Sequence, residues 1–252
     1  MRAVLDACHG NQTNAARILG VDRKTLARNL PRWHISPATQ RRDLQPGSLI
    51  AIEGIDGAGI TTQATRLVDH LRSRGHRAML TIEPSEGPVG VLLRELLAAK
   101  TRLAHPGAMR TLSLLFAADR VDHFHRVVQP ALASRTTVVS DRWYHSSLAY
   151  QRTGVERDWI MTLNRHTRTP DATIFLEVRP EVGQERRLAA GRTPEYFHEL
   201  AFQREVVAGY RATIAELRAQ GERIESIDGE RDVDDVFTAM LRALGIDRRR
   251  RA

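Results

Sequence analysis

Gly54-Ile55-Asp56-Gly57-Ala58-Gly59-Ile60-Thr61-Thr62 stands between a short apolar run, Ser48–Glu53, and an amphipathic helical pattern. The stretch matches the phosphate-binding pattern G-x-x-x-x-G-K-[ST] except at the lysine, where Ile60 stands. Glycines allow a tight turn that points several backbone amides into one hollow, and the helix that follows presents its positive end to the same anion. Residues 54–62 are therefore predicted to bind nucleotide phosphates, with the Thr61 hydroxyl placed to hold Mg²⁺. The alternative for an isolated, incomplete match is a glycine-rich strand–helix turn that binds nothing.

Short apolar runs and helical patterns alternate after residue 47. The runs, each short enough for a buried strand, are Ser48–Glu53, Arg77–Ile82, Thr136–Asp141, Ala172–Val178 and Arg223–Asp228. After the helix that follows the glycine-rich loop, further helical patterns fall at 89–100, 108–133, 155–166, 180–190, 195–219 and 232–244. Strands that alternate with helices predict an α/β fold, a doubly wound parallel sheet with helices on both faces. Together with the glycine-rich loop, this predicts the P-loop NTPase class.

The sequence divides into four parts. Residues 35–47 contain two prolines and one glycine without sustained periodicity, so they are predicted to be a linker. This linker separates a small all-α module, residues 1–34, from an α/β domain, residues 48–247, which is followed by a basic tail, residues 248–252. The net charge is +8, and residues 1–47 contain eight basic against three acidic side chains. Anionic partners are therefore expected, and both nucleotides and nucleic acid qualify.

Neither a membrane nor an oxidising compartment is indicated by the sequence. No apolar run approaches the roughly 20 residues that span a bilayer, and charged residues interrupt the N-terminus too early for a signal peptide. The single cysteine, Cys8, cannot form an intrachain disulfide. We therefore expect a cytoplasmic protein with no membrane partner.

Four further segments, in this order along the chain, carry a family resemblance. They are Thr81-Ile82-Glu83-Pro84, Phe116-Ala117-Ala118-Asp119-Arg120, the segment from Asp141-Arg142-Trp143-Tyr144 to Ser147-Leu148-Ala149-Tyr150-Gln151, and Pro170-Asp171-Ala172-Thr173. Together with the glycine-rich loop, they resemble the motifs of thymidylate kinases over residues 48–247. The resemblance implies a nucleoside monophosphate kinase that transfers the γ-phosphate of ATP to dTMP in the presence of Mg²⁺ and works as a homodimer.

The same resemblance implies a role for each matching residue. Asp56 would accept a hydrogen bond from the sugar 3′-hydroxyl of dTMP, and Arg142 would hold the acceptor phosphate. Phe116 would stack on thymine while Arg120 donates to its carbonyl oxygen. Asp141, at a strand end, would help to position Mg²⁺, usually through water.

Further members of the implied site lie beside these. Glu83 and Ser147 belong to the dTMP-binding set, and Tyr150 would exclude a ribose 2′-hydroxyl. Arg186 and Arg192 fall in the lid that closes over the transferring phosphate. The alternative to ligand binding is a purely structural role for these residues. Phe116 could be part of the core, and the neighbours Asp119–Arg120 or Asp141–Arg142 could be structural ion pairs.

Two departures from the family pattern affect the phosphates. Ile60 replaces the loop lysine, and Ile82 replaces the arginine of the family's T-R-E-P. Loss of one preorganised donor can reduce a rate by about 10²–10³, although Arg186, Arg187 and Arg192 are available to compensate in part. The alternative function is therefore a catalytically impaired nucleotide-binding regulator with a DNA-binding head.

Residues 1–34 are predicted to form three short helices, Arg2–Cys8, Thr13–Leu19 and Arg23–Leu30, with Asp22 capping the third. The stretch 10–30 resembles the helix-turn-helix of Fis-type domains, with Ala16, Leu19 and Val21 packing the turn. The resemblance implies that four residues face duplex DNA: Arg23, Lys24, Thr25 and Arg28. The alternative is a helical appendage without a DNA role.

Overall fold

The structure is a computed structural model, and it describes residue 4 and residues 12–30, 45–98, 103, 105–191 and 197–246. Its five strands are β1 (Leu49–Gly54), β2 (Ala78–Ile82), β3 (Thr137–Asp141), β4 (Ala172–Glu177) and β5 (Ile224–Asp228). They form one sheet in the order β2-β3-β1-β4-β5, and every pairing is parallel. Each strand begins and ends within one residue of its predicted bounds, so the predicted α/β fold with a parallel sheet is confirmed.

Helices connect the strands and cover the sheet. In the α/β domain they are α3 (Ile60–Ser73), α4 (Pro88–Leu97), α5 (Ala108–His123), α6 (Gln129–Ala133), α7 (Tyr144–Tyr150), α8 (Arg157–Leu163), α9 (Pro180–Ala189), α10 (Leu200–Ala219) and α11 (Val233–Leu244). α3 packs on α11, and α7 packs on α10. Both packed pairs also contact the sheet, which gives the doubly wound arrangement.

The core lies at the centre of the sheet. Every residue of β1 is buried, and Ile52, Val139 and Ile174 are fully inaccessible to solvent. Branched apolar residues on both faces of a strand are typical of a parallel sheet that is covered by helices on both sides. The central strand therefore holds the loop that follows it in a rigid position.

The carboxyl ends of the strands meet at one edge of the sheet. Asp141, the last residue of β3, is level with Ile52 of β1 and with Ile82 of β2. In open parallel sheets this edge is where ligands bind. The glycine-rich loop and the segment that begins with Glu83 leave the sheet at the same edge.

Two helical stretches differ from the predictions. α7 was not predicted as a helix; six of its seven residues are buried, so its sequence lacks the polar face that marks an amphipathic helix. The pattern 108–133 was predicted as one helix, but α5 ends at His123 and a π-helical segment, Phe124–Val128, precedes α6. Pro130 lies at the start of α6, where its missing N–H and its ring interrupt the regular α-helical hydrogen bonds.

The N-terminal module contains α1 (Gln12–Ile18) and α2 (Arg23–Asn29). Its small core is formed by Ala15, Ala16, Leu26 and Leu30. Val21, which was predicted to pack in the turn, is exposed, because Leu26 of α2 and Leu30 directly after it fill this core. The predicted helix Arg2–Cys8 lies outside the described residues except for Val4, as do residues 35–44 of the predicted linker and the tail 248–252.

Asp22 caps α2 as predicted. Its carboxylate accepts a hydrogen bond from the Thr25 backbone nitrogen at 2.8 Å. None of the helices in the described ranges is both long and apolar enough to cross a membrane.

Candidate active site

The glycine-rich loop forms one wall of a cavity of about 750 Å³ at the carboxyl edge of the sheet. Seven of its nine residues line the cavity: Ile55, Asp56, Gly57, Gly59, Ile60, Thr61 and Thr62. Gly57 and Gly59 adopt φ angles of 87° and 90°, a left-handed conformation that favours glycine. Gly54 ends β1, and Ala58 is buried beneath the loop.

α9 packs directly on the tip of this loop. A β-carbon added to Gly57 would lie 2.2 Å from the carbonyl oxygen of Gly183, so the two backbones touch without side chains between them. Arg187, one turn further along α9, donates from Nη1 to the Asp56 carbonyl oxygen at 2.7 Å. Arg186 also lines the cavity and donates to the Gly229 carbonyl oxygen at 2.9 Å. Arg192 lies outside the described residues.

Thr61 and Asp141 lie side by side in the wall of the cavity. The Thr61 hydroxyl donates to Asp141 Oδ2 at 2.5 Å. Burial raises the pKa of Asp141, and the neighbouring Arg142 and the hydrogen bond from Thr61 oppose this increase. A hydroxyl beside a carboxylate is an oxygen donor set of the kind that Mg²⁺ prefers.

Asp56 and Arg142 form an ion pair beside the loop. Arg142 Nη2 donates to Asp56 Oδ1 at 2.6 Å, and Nη1 donates to the Gly54 carbonyl oxygen at 2.8 Å. Burial would lower the pKa of Arg142, but the negative potentials of Tyr150 and Asp56 raise it above its ordinary value. Tyr150 also donates to Asp56 Oδ2 at 3.3 Å. Three residues predicted to surround the sugar and acceptor phosphate are therefore in mutual contact.

A second pocket of about 120 Å³ adjoins the first. Its lining includes residues predicted to hold the base and sugar: Glu83, Phe116, Arg120, Ser147 and Tyr150. The two cavities share Asp56, Glu83 and Arg142. The large cavity on the glycine-rich loop thus leads directly into a narrow pocket with aromatic walls.

Arg120 is 1% exposed and contacts several residues of the second pocket. Its Nε donates to Glu83 Oε2 at 2.7 Å, and its Nη1 donates to the Ser147 hydroxyl at 3.2 Å and to the Asn164 side-chain oxygen. Phe116 is partly exposed at the pocket wall and also packs against the main core.

The neighbour pairs considered as structural ion pairs are not formed. Asp119 accepts hydrogen bonds from the backbone and the hydroxyl of Ser85. Asp141 contacts Thr61, and Arg142 contacts Asp56.

Comparison with known proteins assigns the chain to a family. The family model described as thymidylate kinase matches residues 52–240. The chain belongs to the thymidylate kinase family. Thymidylate kinases are phosphotransferases that act on nucleoside monophosphates. A second family model, described as the Fis family of bacterial regulatory proteins, matches residues 1–33.

Individual thymidylate kinases are similar in sequence to most of this chain. It is 37% identical to a thymidylate kinase of Dinoroseobacter shibae over 210 residues, which are 80% of this chain and 98% of the relative. It is 32% identical to a probable thymidylate kinase of Thermococcus gammatolerans over 199 residues, or 75% of this chain and 92% of the relative. A probable thymidylate kinase of Pyrococcus abyssi is also 32% identical, over 78% of this chain and 96% of the relative.

The two departures from the thymidylate kinase pattern both lie on the larger cavity. Ile60 is 5% exposed and belongs to the core as well as to the cavity wall. Ile82 is 42% exposed at the end of β2. Arg94 of α4, which the sequence analysis did not select, also lines this cavity and donates to the carbonyl oxygens of Pro84 and Ser85 at 2.8 and 2.5 Å.

A buried charge network adjoins the candidate site at Glu53. Glu53, just before the loop, accepts from the Trp143 backbone nitrogen at 2.7 Å and from the Ser146 hydroxyl at 2.6 Å. His145 lies between Glu53 and Glu222, with ion-pair distances of 3.6 and 3.1 Å. Burial alone would lower the pKa of His145, but the two carboxylates outweigh it and raise that pKa to about 9.

The four predicted DNA-facing residues have different environments beside the kinase domain. Lys24 and Arg28 are exposed on α2. The Thr25 hydroxyl donates to Asp22 Oδ2 at 2.5 Å. Arg23 packs against Gly221, because a β-carbon added to that glycine would lie 2.2 Å from Arg23 Nη2. In this arrangement only Lys24 and Arg28 of the four combine charge with an exposed side chain.

Proposed function

We propose that the chain transfers the γ-phosphoryl group of ATP to dTMP and releases dTDP and ADP. The observation that carries this proposal is the continuity of the two cavities. One is built on a phosphate loop and the other on Phe116 and Arg120, and Asp56 and Arg142 stand where they join. A site of this shape suits a triphosphate that meets a nucleoside monophosphate end to end.

In the proposed step, an oxygen of the dTMP phosphate attacks the γ-phosphorus of ATP. The bond from that phosphorus to the β–γ bridging oxygen breaks, and the electron pair leaves with ADP. The protein contributes mainly positioning and charge neutralisation. Arg142 faces the acceptor phosphate, and backbone amides of residues 57–62 face the phosphates of ATP.

The base pocket fits a thymine ring. Phe116 offers an aromatic wall for stacking. Arg120 is held through Nε and Nη1, so its Nη2 is proposed to donate to a thymine carbonyl oxygen. Tyr150 is held against Asp56 beside the sugar position, where its ring would crowd a 2′-hydroxyl. The proposed preference is therefore for a deoxynucleotide.

Thr61 and Asp141 are the residues that would hold Mg²⁺. Their paired oxygens fit an ion that usually takes one or two protein ligands together with substrate phosphates. Bound there, the ion would neutralise charge on the phosphates of ATP. Asp141 also keeps the Thr61 hydroxyl oriented toward the cavity.

The proposed active form is a homodimer. The adjacent helices α4 and α5 expose the apolar side chains of Leu92 and Leu114, which burial against a second copy would cover. Sedimentation of the wild type and of Leu114→Glu tests this proposal. A dimeric wild type and a monomeric variant are expected, and a monomeric wild type would contradict it.

A coupled assay of ADP formation with ATP, Mg²⁺ and dTMP tests the activity. We expect turnover that requires dTMP, and Phe116→Ala should raise KM for dTMP without changing KM for ATP. Arg110→Ala, on the exposed start of the same helix, serves as the matched control. Absence of dTMP-dependent turnover in a protein that binds ATP would instead support the impaired regulator.

A second proposed function concerns the N-terminal module, which we propose binds duplex DNA. The Fis-family match favours this function, and exposed Lys24 and Arg28 supply cations on the second helix of the helix-turn-helix. A single short module neutralises few phosphates, so its affinity alone is low. A homodimer would carry two modules, and simultaneous binding of both would strengthen the complex.

A further inference from the structure

The phosphate cavity lacks the lysine that its loop motif normally provides. In P-loop enzymes that lysine reaches the β- and γ-phosphates. Ile60 occupies its position at the first residue of α3, with an apolar side chain that is 5% exposed. A triphosphate bound on this loop therefore receives no cationic side chain from the loop itself.

Four arginines of the described residues line the cavity, and three of them are either paired with a carboxylate or more exposed than the fourth. Arg142 is paired with the Asp56 carboxylate. Arg94 is fixed to carbonyl oxygens of the segment after β2, next to Glu83. Arg186 turns toward the carbonyl oxygens of Gly229 and Glu230, near the start of α11. Arg187 is the fourth.

Arg187 is bound to the phosphate loop itself. Its Nη1 donates to the Asp56 carbonyl oxygen at 2.7 Å. The backbone contact between Gly57 and Gly183 fixes α9 on the loop, since a β-carbon at Gly183 would in turn lie 2.7 Å from that same Asp56 oxygen. The packing of α9 on the loop and the hydrogen bond to Asp56 therefore place the guanidinium at the loop tip.

Among the described residues, the buried charge of Arg187 has no carboxylate partner. Its side chain is 5% exposed, and within the described ranges its hydrogen bonds go to two carbonyl oxygens, of Asp56 and, at 3.5 Å, of His198. None of the ion pairs among these residues includes it. A guanidinium has five N–H groups, so donors remain for an anion. Buried arginines are normally paired, and here a phosphate in the cavity would complete the pairing.

We propose that Arg187 takes the place of the absent loop lysine and binds the β- and γ-phosphates of the triphosphate. The inference rests on the proposed kinase function, because it assigns the cation to that same site. A planar guanidinium can bind two phosphate oxygens at once. The cation therefore comes from α9 instead of from α3.

Three variants of the full-length protein test the inference: Arg187→Gln, Ile60→Lys, and the two combined. Glutamine keeps an N–H for the Asp56 carbonyl oxygen but removes the charge. Affinities for ATP and for adenosine are measured by calorimetry, and kcat by the coupled assay. Arg187→Gln should weaken ATP binding about 10- to 150-fold, the range for one charge-assisted contact, while adenosine binding stays unchanged. The value of kcat should fall about 10²–10³-fold.

Rescue separates a phosphate contact from a purely structural one. Ile60→Lys should restore most of the lost ATP affinity in the Arg187→Gln background and change little in the wild type, because one cation then suffices. Arg179→Gln, an exposed arginine at the start of the same helix, should behave as wild type. If lysine at position 60 prevents folding, Arg187→Lys replaces the rescue and should retain more ATP affinity than Arg187→Gln.

Several results would overturn the inference: equal weakening of ATP and adenosine, no recovery in a folded double variant, or no difference between the lysine and glutamine variants. Absence of ATP binding in the wild type would overturn both the inference and the kinase function. Arg187-dependent ATP binding without phosphorylation of dTMP would sustain the inference and reject only the kinase function.

Discussion

The carboxylates around His145 make the stability of the fold depend on pH. Glu53 and Glu222 flank the imidazole, all three side chains are almost fully buried, and Tyr144 stacks on the ring with centroids 4.2 Å apart. The pKa of His145 is raised from 6.5 to about 9 in the folded protein. Because the folded pKa lies above the unfolded one, this contribution is fully present below pH 6.5 and is lost as pH rises through about 9.

The size of the effect follows from that difference. Each unit of pKa corresponds to about 1.4 kcal/mol, so the difference between 6.5 and about 9 corresponds to roughly 3 kcal/mol of unfolding free energy. Lysine, cysteine and tyrosine add little background in the upper part of this window, because the chain has two lysines, one cysteine and four tyrosines. It also has nine histidines besides His145, so the background slope is measured in a variant that lacks only His145. Three of those tyrosines, Tyr144, Tyr150 and Tyr210, have a pKa raised first of all by burial.

Urea unfolding at a series of pH values between about 6 and about 10 measures this loss. The wild type should lose roughly 3 kcal/mol across the series. His145→Gln should show only the shallow background slope. If that variant does not fold, Glu222→Gln provides the second measurement, since loss of one carboxylate should move the decline to lower pH.

Parallel curves for the wild type and His145→Gln would refute the reasoning. So would the absence of a His145-dependent decline between pH 6.5 and about 9, because an imidazole with the same pKa in the folded and unfolded protein makes no pH-dependent contribution to stability. A decline that is unchanged in Glu222→Gln would exclude that carboxylate as a cause.

Three further outcomes are expected. Gly57→Ala should lower the melting temperature and weaken ATP binding. A φ of 87° is unfavourable for alanine, and its β-carbon would clash with the Gly183 carbonyl oxygen. An unchanged melting temperature would contradict this contact. Thr61→Val should lower kcat about 10²-fold or more and raise the Mg²⁺ concentration needed, and an unaltered Mg²⁺ titration would exclude Thr61 as a ligand. Full-length protein should shift duplex DNA in a salt-sensitive way, and Lys24→Glu combined with Arg28→Glu should abolish the shift; equal shifts would show that the module does not bind DNA.

Most of the α/β fold could be predicted because its signals are local. Buried parallel strands need continuous branched apolar runs, and the runs at Leu49–Gly54 and Ala172–Glu177 are bounded by polar or turn-forming residues. α7 could not be predicted from periodicity, because tertiary packing buries Tyr144, Leu148 and their neighbours on all sides of a short helix. The position of the π-helical segment likewise depends on packing as well as on Pro130.

Site residues that belong to a sequence motif could be predicted. Those that are placed only by contacts between distant segments of the chain could not. Asp56 and Asp141 stand at fixed places in recognisable segments, and the structure brings them to one cavity. Arg94 has no local signal that marks it. Arg187 was noticed only as one lid arginine among three, since its position depends on two glycines that are far apart in sequence. The role of His145 depends on Glu222, which is 77 residues away.

The N-terminal module touches the edge of the sheet opposite to the nucleotide cavity. Arg17 donates to the carbonyl oxygen of His166, which precedes β4, and Arg23 packs on Gly221, which precedes β5. Strands of five or six residues, roughly 15–20 Å long, separate this edge from Asp141. DNA on the module and nucleotide in the cavity would therefore not compete for space, and one molecule has room for both. If bound nucleotide changes the affinity for DNA by some factor, bound DNA must change the affinity for nucleotide by the same factor. Titration of either ligand in the presence of the other therefore yields the same coupling free energy.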